Sequence, residues 1–118
     1  MIGRLSNVVL DCADPQALAR FYSELLGWPI TRVDGDWVDI GDGKEFTLSF
    51  QHAPDHVPPR WPDPAHPQQF HLDIEVDDLE TAAAAVLALG ATPLPVLEPE
   101  AHFRVYADPA GHPFCLCW

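Results

Sequence analysis

His71 and Asp73 stand two residues apart in a stretch that alternates apolar and polar residues, 70 to 76, so both side chains leave the same face of a strand. Imidazole titrates near neutrality, which makes His71 the candidate general base or hydrogen-bond partner of a bound molecule. Asp73 is expected to orient it only through neighbouring groups. Cys115 and Cys117 repeat the i, i+2 spacing near the end of the chain. That spacing is too close for a good disulfide and too short for a C-x-x-C redox pair. The two thiols read either as lining a site, with Cys115 activated by His71, or as small buried hydrophobes.

Asn7, Ser49 and Gln51 lie on similarly alternating stretches and offer amide and hydroxyl groups that orient a substrate. Trp37 and Trp61 are candidate aromatic walls of a small-molecule pocket. Trp37 reads equally as a sheet packer, and Trp61 as a residue that pins its loop to the body or to a second subunit. His52, His56 and His66 suggest a surface three-histidine site, but Pro54 breaks the helical spacing such a site needs. Asp34, Asp36, Asp39, Asp42 and Glu45 form an acidic run without the order of an EF-hand loop, so a solvated face is expected.

The elements that must position these residues come in two copies. Residues 6 to 12 alternate, with Val8, Leu10 and Cys12 opposite Asn7, Val9 and Asp11. Asp14 and Pro15 suit a helix start, Leu18, Phe21, Tyr22, Leu25 and Leu26 recur at helical spacing, and Gly27 stops the helix. Strands are expected at 30–33, 37–40 and 45–51, with glycine turns between them. The second copy has a strand at 70–76, an alanine-rich helix at 79–89 ended by Gly90, and strands at 92–97, 102–107 and 113–118. Each helix covers the apolar face of its strands. The opposite face then carries Asn7, Ser49, Gln51, His71, Asp73, Cys115 and Cys117. The stretch between the copies, residues 53–68, is rich in proline and is expected to link the halves or cover a site.

At 118 residues the chain is one domain with room for a core. The formal charge of −12 excludes nucleic acid as the expected partner and permits a cationic ligand. No apolar run is long enough to span a bilayer, so no membrane partner is expected. The N-terminal residues lack a signal-peptide layout and the three cysteines form no spaced framework, which predicts a cytoplasmic protein.

The order of elements and three strings resemble the vicinal oxygen chelate superfamily, which includes glyoxalase I, bleomycin-resistance proteins and extradiol dioxygenases. The strings are Asp14 with Phe21, Tyr22, Leu26 and Gly27; residues 70 to 79; and residues 108 to 117. The likeness covers almost the whole chain and is nearest to the small glyoxalase-like branch. It implies an α+β fold of two β-α-β-β-β modules forming an open, incomplete barrel with helices on the outer face. It divides the chain into module one at 1–52, a linker at 53–68 and module two at 69–118. It also implies a homodimer.

Metal-dependent members take one ligand from the first and one from the last strand of each module. On that pattern the positions fall on Asn7, where many members have His; on Ser49, or Gln51 at a register two residues away; on His71, which matches; and on Cys115, where metal enzymes have Glu. Asn and Ser are weak ligands for a divalent transition metal. The expectation is a protein that binds a small organic molecule, without a metal cofactor. His71 is its catalytic candidate, and Asn7, Trp37, Ser49, Gln51, Trp61, Asp73, Cys115 and Cys117 are its binding candidates. The alternatives are a bleomycin-resistance-like protein that sequesters a cationic drug, a metal-dependent lyase or dioxygenase with Gln51 or Cys117 as a stand-in ligand, and a scaffold with no ligand.

Overall fold

The computed structural model describes residues 1–99 and 101–118. The chain divides into two compact units, Met1–His56 and Val57–Trp118. Each is an open β-α-β-β-β module, which gives the expected α+β class.

The first unit runs β1 (Val8–Cys12), α1 (Pro15–Leu26), β2 (Ile30–Asp34), β3 (Trp37–Gly41) and β4 (Thr47–His52). The strands form a mixed sheet in the order β1-β4-β3-β2, with β1 parallel to β4 and the other pairs antiparallel. α1 starts as expected: Asp14 caps it by accepting from the Ala17 amide at 3.0 Å, and Pro15 occupies the first turn. It stops at Gly27, whose φ of 69° is the left-handed conformation that glycine adopts without strain. Leu18, Ala19, Phe21 and Tyr22 are its buried stripe. They meet the face made by Leu10, Cys12, Val38, Ile40, Leu48 and Phe50, all buried, and the Tyr22 ring stacks on Phe50 at 5.7 Å.

The second unit runs β5 (Leu72–Glu75), α2 (Leu79–Ala88), β6 (Thr92–Pro93), β7 (Phe103–Ala107) and β8 (Pro113–Cys117). Its sheet repeats the first, in the order β5-β8-β7-β6. Asp78 caps α2, taking the Glu80 amide at 3.2 Å and the Thr81 hydroxyl at 2.6 Å. Val86, Phe114 and Leu116 are buried on the helix side.

Several strands are shorter than the alternation suggests, among them β5, which begins at Leu72 rather than 70, and β6 and β4. β6 covers only two of the six expected residues. Leu94 still donates to the Val105 carbonyl at 3.0 Å, and Pro93 and Pro95 turn their amide-less sides away from β7, as edge-strand prolines do. β4 begins at Thr47 rather than 45, because the amides of Lys44, Glu45 and Phe46 all turn onto the Asp42 carboxylate. Those bonds hold the Asp42 carboxyl below its ordinary value, and they make this acid a turn former rather than a spectator on the surface.

The proline-rich stretch after β4 contains no helix or strand. It is tied by its own bonds: Arg60 donates to the His66 carbonyl at 2.9 Å, and the Gln69 side chain donates to the Val57 carbonyl at 2.9 Å.

Candidate functional site

In the second unit the register of β5 against β8 sets Asp73 opposite Cys115 and Glu75 opposite Cys117. The register of β7 against β8 adds Val105 opposite Cys115 and Phe103 opposite Cys117. Paired residues share a face, so His71, Asp73, Cys115, Cys117, Phe103 and Val105 all project from the side away from the buried Phe114 and Leu116. This is the face assigned from the alternation, and a cavity of about 460 Å³ opens on it.

The cavity is lined by apolar and polar side chains. Trp61 comes from the proline-rich loop, Phe103 and Val105 from β7, and Pro95, Val96 and Leu97 from the segment after β6. The polar groups are His71, Asp73, Glu98, His102, Arg104, Cys115 and Cys117, with Gln68 at the loop. The indole Nε1 of Trp61 is buried and has no hydrogen-bond partner among the described residues.

His71 Nε2 lies 3.5 Å from Asp73 Oδ1. The expectation that Asp73 acts on His71 only through neighbours is therefore corrected. His71 precedes the first paired residue of β5, where the backbone is free to let the two side chains lean together. The proposed activation of Cys115 by His71 is also corrected. Burial, and then the negative charge of Asp73, push the Cys115 thiol up to about 11, so it stays protonated at neutral pH. Burial and the charges of Asp73 and Glu75 raise Cys117 as well.

In the first unit Asn7 Nδ2 donates to Ser49 Oγ at 2.6 Å, and Ser49 Oγ donates to Asp39 Oδ1 at 2.6 Å. Trp37 Nε1 donates to the same oxygen at 2.6 Å. Ser49 is fully buried, and Arg32 stands 3.9 Å from the other Asp39 oxygen. Three of the four first-module candidates are therefore joined by an acid that was expected to be solvated. The Asp39 side chain is only 15% exposed, against 68% for Asp34, because the β3–β4 register sets Asp39 opposite Ser49. The spacing from Trp37 puts Asp39 on that residue's face, but its burial comes from the pairing of β3 with β4. Gln51 is exposed, opposite Trp37 and Asp11.

The histidines divide in the same way. His52 stands 3.9 Å from Asp36, and His66 stands 3.1 Å from Asp63. Among the described residues the group of three potential ligands that converges is His71, Asp73 and Cys115, and the histidines at 52, 56 and 66 form none.

Two β-α-β-β-β modules, with polar residues on the face that each helix leaves uncovered, define the vicinal oxygen chelate class. The glyoxalase-like domain family matches residues 7–117, and the chain belongs to it. The fold is shared with a possible glyoxalase from Bacillus cereus, at a TM-score of 0.72 and 17% identity over 100% of both chains. It is shared with a glyoxalase/bleomycin resistance protein/dioxygenase family enzyme from Burkholderia phytofirmans PsJN, at a TM-score of 0.73 and 18% identity over 97% of both chains. It is shared also with the fosfomycin resistance protein FosX from Mesorhizobium loti, at a TM-score of 0.72 and 15% identity over 99% of this chain and 92% of that one. No curated protein matches the sequence.

The superfamily's metal needs donors at Asn7, Ser49, His71 and Cys115. Asn7 and Ser49 do not fit it. They are a neutral amide and a hydroxyl, they bond to each other, and Ser49 spends its proton on Asp39.

Proposed function

We propose that the chain binds a small organic molecule in the cavity of its second module, with the apolar part against Trp61, Phe103, Val96 and Leu97 and the polar part at His71 and Asp73. The observation that carries this reading is the cavity itself: its volume suits a small metabolite, and its lining combines apolar side chains with a few polar ones. Two carboxylates, Asp73 and Glu98, border that volume against one guanidinium, Arg104. They favour a molecule that carries a hydrogen-bond donor or a positive centre.

His71 is the group able to move a proton there. Its Nε2 lies 3.5 Å from Asp73 Oδ1, which fixes the direction of the ring. A bound molecule placed against the imidazole can hydrogen-bond to it or exchange a proton with it. The unsatisfied indole N–H of Trp61 supplies a donor for an acceptor atom on the ligand.

The test is a thermal-shift screen of metal-free protein against small aromatic and aliphatic amines, hydroxy acids and neutral carbonyl compounds. Saturable stabilisation by at least one class is expected, with amines ahead of acids of equal size. No saturable shift from any class would end this reading.

A further inference from the structure

We propose that His71, Asp73 and Cys115 form a binding site for one borderline divalent ion, zinc being the natural occupant, built entirely within the second module. The site rests on donor geometry and holds whether or not the cavity takes an organic molecule. It differs from the superfamily's arrangement in two respects: it draws nothing from the first module, and it uses Asp73, which occupies none of the four family positions.

The three donors are an imidazole nitrogen, a carboxylate oxygen and a thiol sulfur, all within 4.8 Å of one another. A tetrahedral ion with bonds of about 2.0–2.3 Å needs its ligand atoms about 3.3–3.8 Å apart. The His71–Asp73 pair, at 3.5 Å, already meets that spacing. β5 and β8 are adjacent and Asp73 stands opposite Cys115 in register, which keeps the third donor near the other two. His71 and Asp73 are accessible, with side chains 43% and 64% exposed, so an ion has an entry path. All three residues line the cavity.

The chemistry of the set selects the ion. Thiolate and imidazole favour zinc and cobalt over magnesium and calcium, which demand more oxygen ligands than this corner offers. On binding, Cys115 gives up its S–H proton to solvent and its sulfur becomes the metal ligand, so one proton leaves for each ion bound. His71 coordinates through an unprotonated nitrogen and is then no longer available as a base. The ion and the proton-transfer role of His71 are therefore mutually exclusive states of one corner.

Cobalt(II) titration of the metal-free protein tests the site without reference to any activity. The expected result is a near-ultraviolet sulfur-to-cobalt charge-transfer band that saturates at one equivalent, is abolished by zinc and is untouched by excess magnesium. Cys115→Ser should remove the band, while Cys117→Ser should keep it. Asp73→Asn changes an exposed residue and keeps the fold; it should weaken cobalt binding at least tenfold while the band persists at saturation. Absence of the band in the wild-type protein would overturn the proposal, as would a band lost in Cys117→Ser but retained in Cys115→Ser. Organic-ligand binding measured in chelator stays outside this result, so failure of the ion site and failure of the cavity reading are separable.

Discussion

Asp73 lies opposite Cys115 across the parallel pair β5–β8, and its carboxylate stands 3.5 Å from His71 Nε2. The negative charge of Asp73 adds to burial in opposing ionisation of the Cys115 thiol.

The first prediction concerns that thiol. Cys115 is raised from its ordinary value of 9.0 to about 11. At pH 8 the metal-free protein should therefore alkylate at Cys115 far more slowly than a model thiol, as read by mass spectrometry after timed iodoacetamide treatment. Asp73→Asn removes a charge that opposes the thiolate and should speed the reaction. An unchanged rate in that variant would show that burial alone protects the sulfur.

The same shift fixes a stability window. The folded state holds the Cys115 proton more tightly than the unfolded chain does, so its contribution is fully present below about pH 9 and is lost as pH rises towards about 11. Denaturant midpoints should fall across that interval, and Cys115→Ala should flatten the fall. A slope that is identical in the variant would assign the alkaline loss to other groups.

Ser49 should prove structural. Its hydroxyl is buried and bridges Asn7 to Asp39. Ser49→Ala strands one donor and one acceptor bond and should cost about 1–3 kcal/mol. Asn7→Ala should cost less, and the double variant should fall short of the sum because both remove one bridge. Additive losses in urea unfolding would mean that the bridge carries no energy.

Gly111 ties the proline-rich loop to the turn before β8. Its φ is 92°, and a Cβ there would meet Pro58 Cβ at 2.7 Å. Gly111→Ala should cost about 1–3 kcal/mol and push the loop outward. Trypsin cleavage after Arg60 reports the movement, since Arg60 is exposed beside Trp61. Cleavage no faster than wild type would show that the loop yields without leaving its seat.

The legibility of the chain follows from how local each signal is. α1 was readable end to end, because Asp14, Pro15 and Gly27 act through bonds and torsions within a few residues. The polar faces were readable because the strand period is exact, and His71, Asp73, Cys115 and Cys117 emerged together from it. Asp39 was not, since what removes it from solvent is the pairing of β3 with β4, a contact that neither segment encodes alone. The cavity wall at Val96, Leu97 and Phe103 was likewise hidden. It depends on where β6 stops, a point that the alternation of residues 92–97 does not mark.

The central claim is that the second-module cavity holds an organic ligand with Trp61 as its wall and His71 as its polar contact. Calorimetric titration of the best ligand class into chelator-treated protein tests it most directly, on wild type, Trp61→Ala, Phe103→Ala and His71→Ala. The account predicts one site per chain, with affinity falling roughly 10- to 100-fold in Trp61→Ala from lost aromatic burial, a smaller fall in Phe103→Ala, and a loss confined to ligands with a polar group in His71→Ala. Binding that is saturable but indifferent to all three substitutions would contradict it and place the ligand elsewhere on the chain.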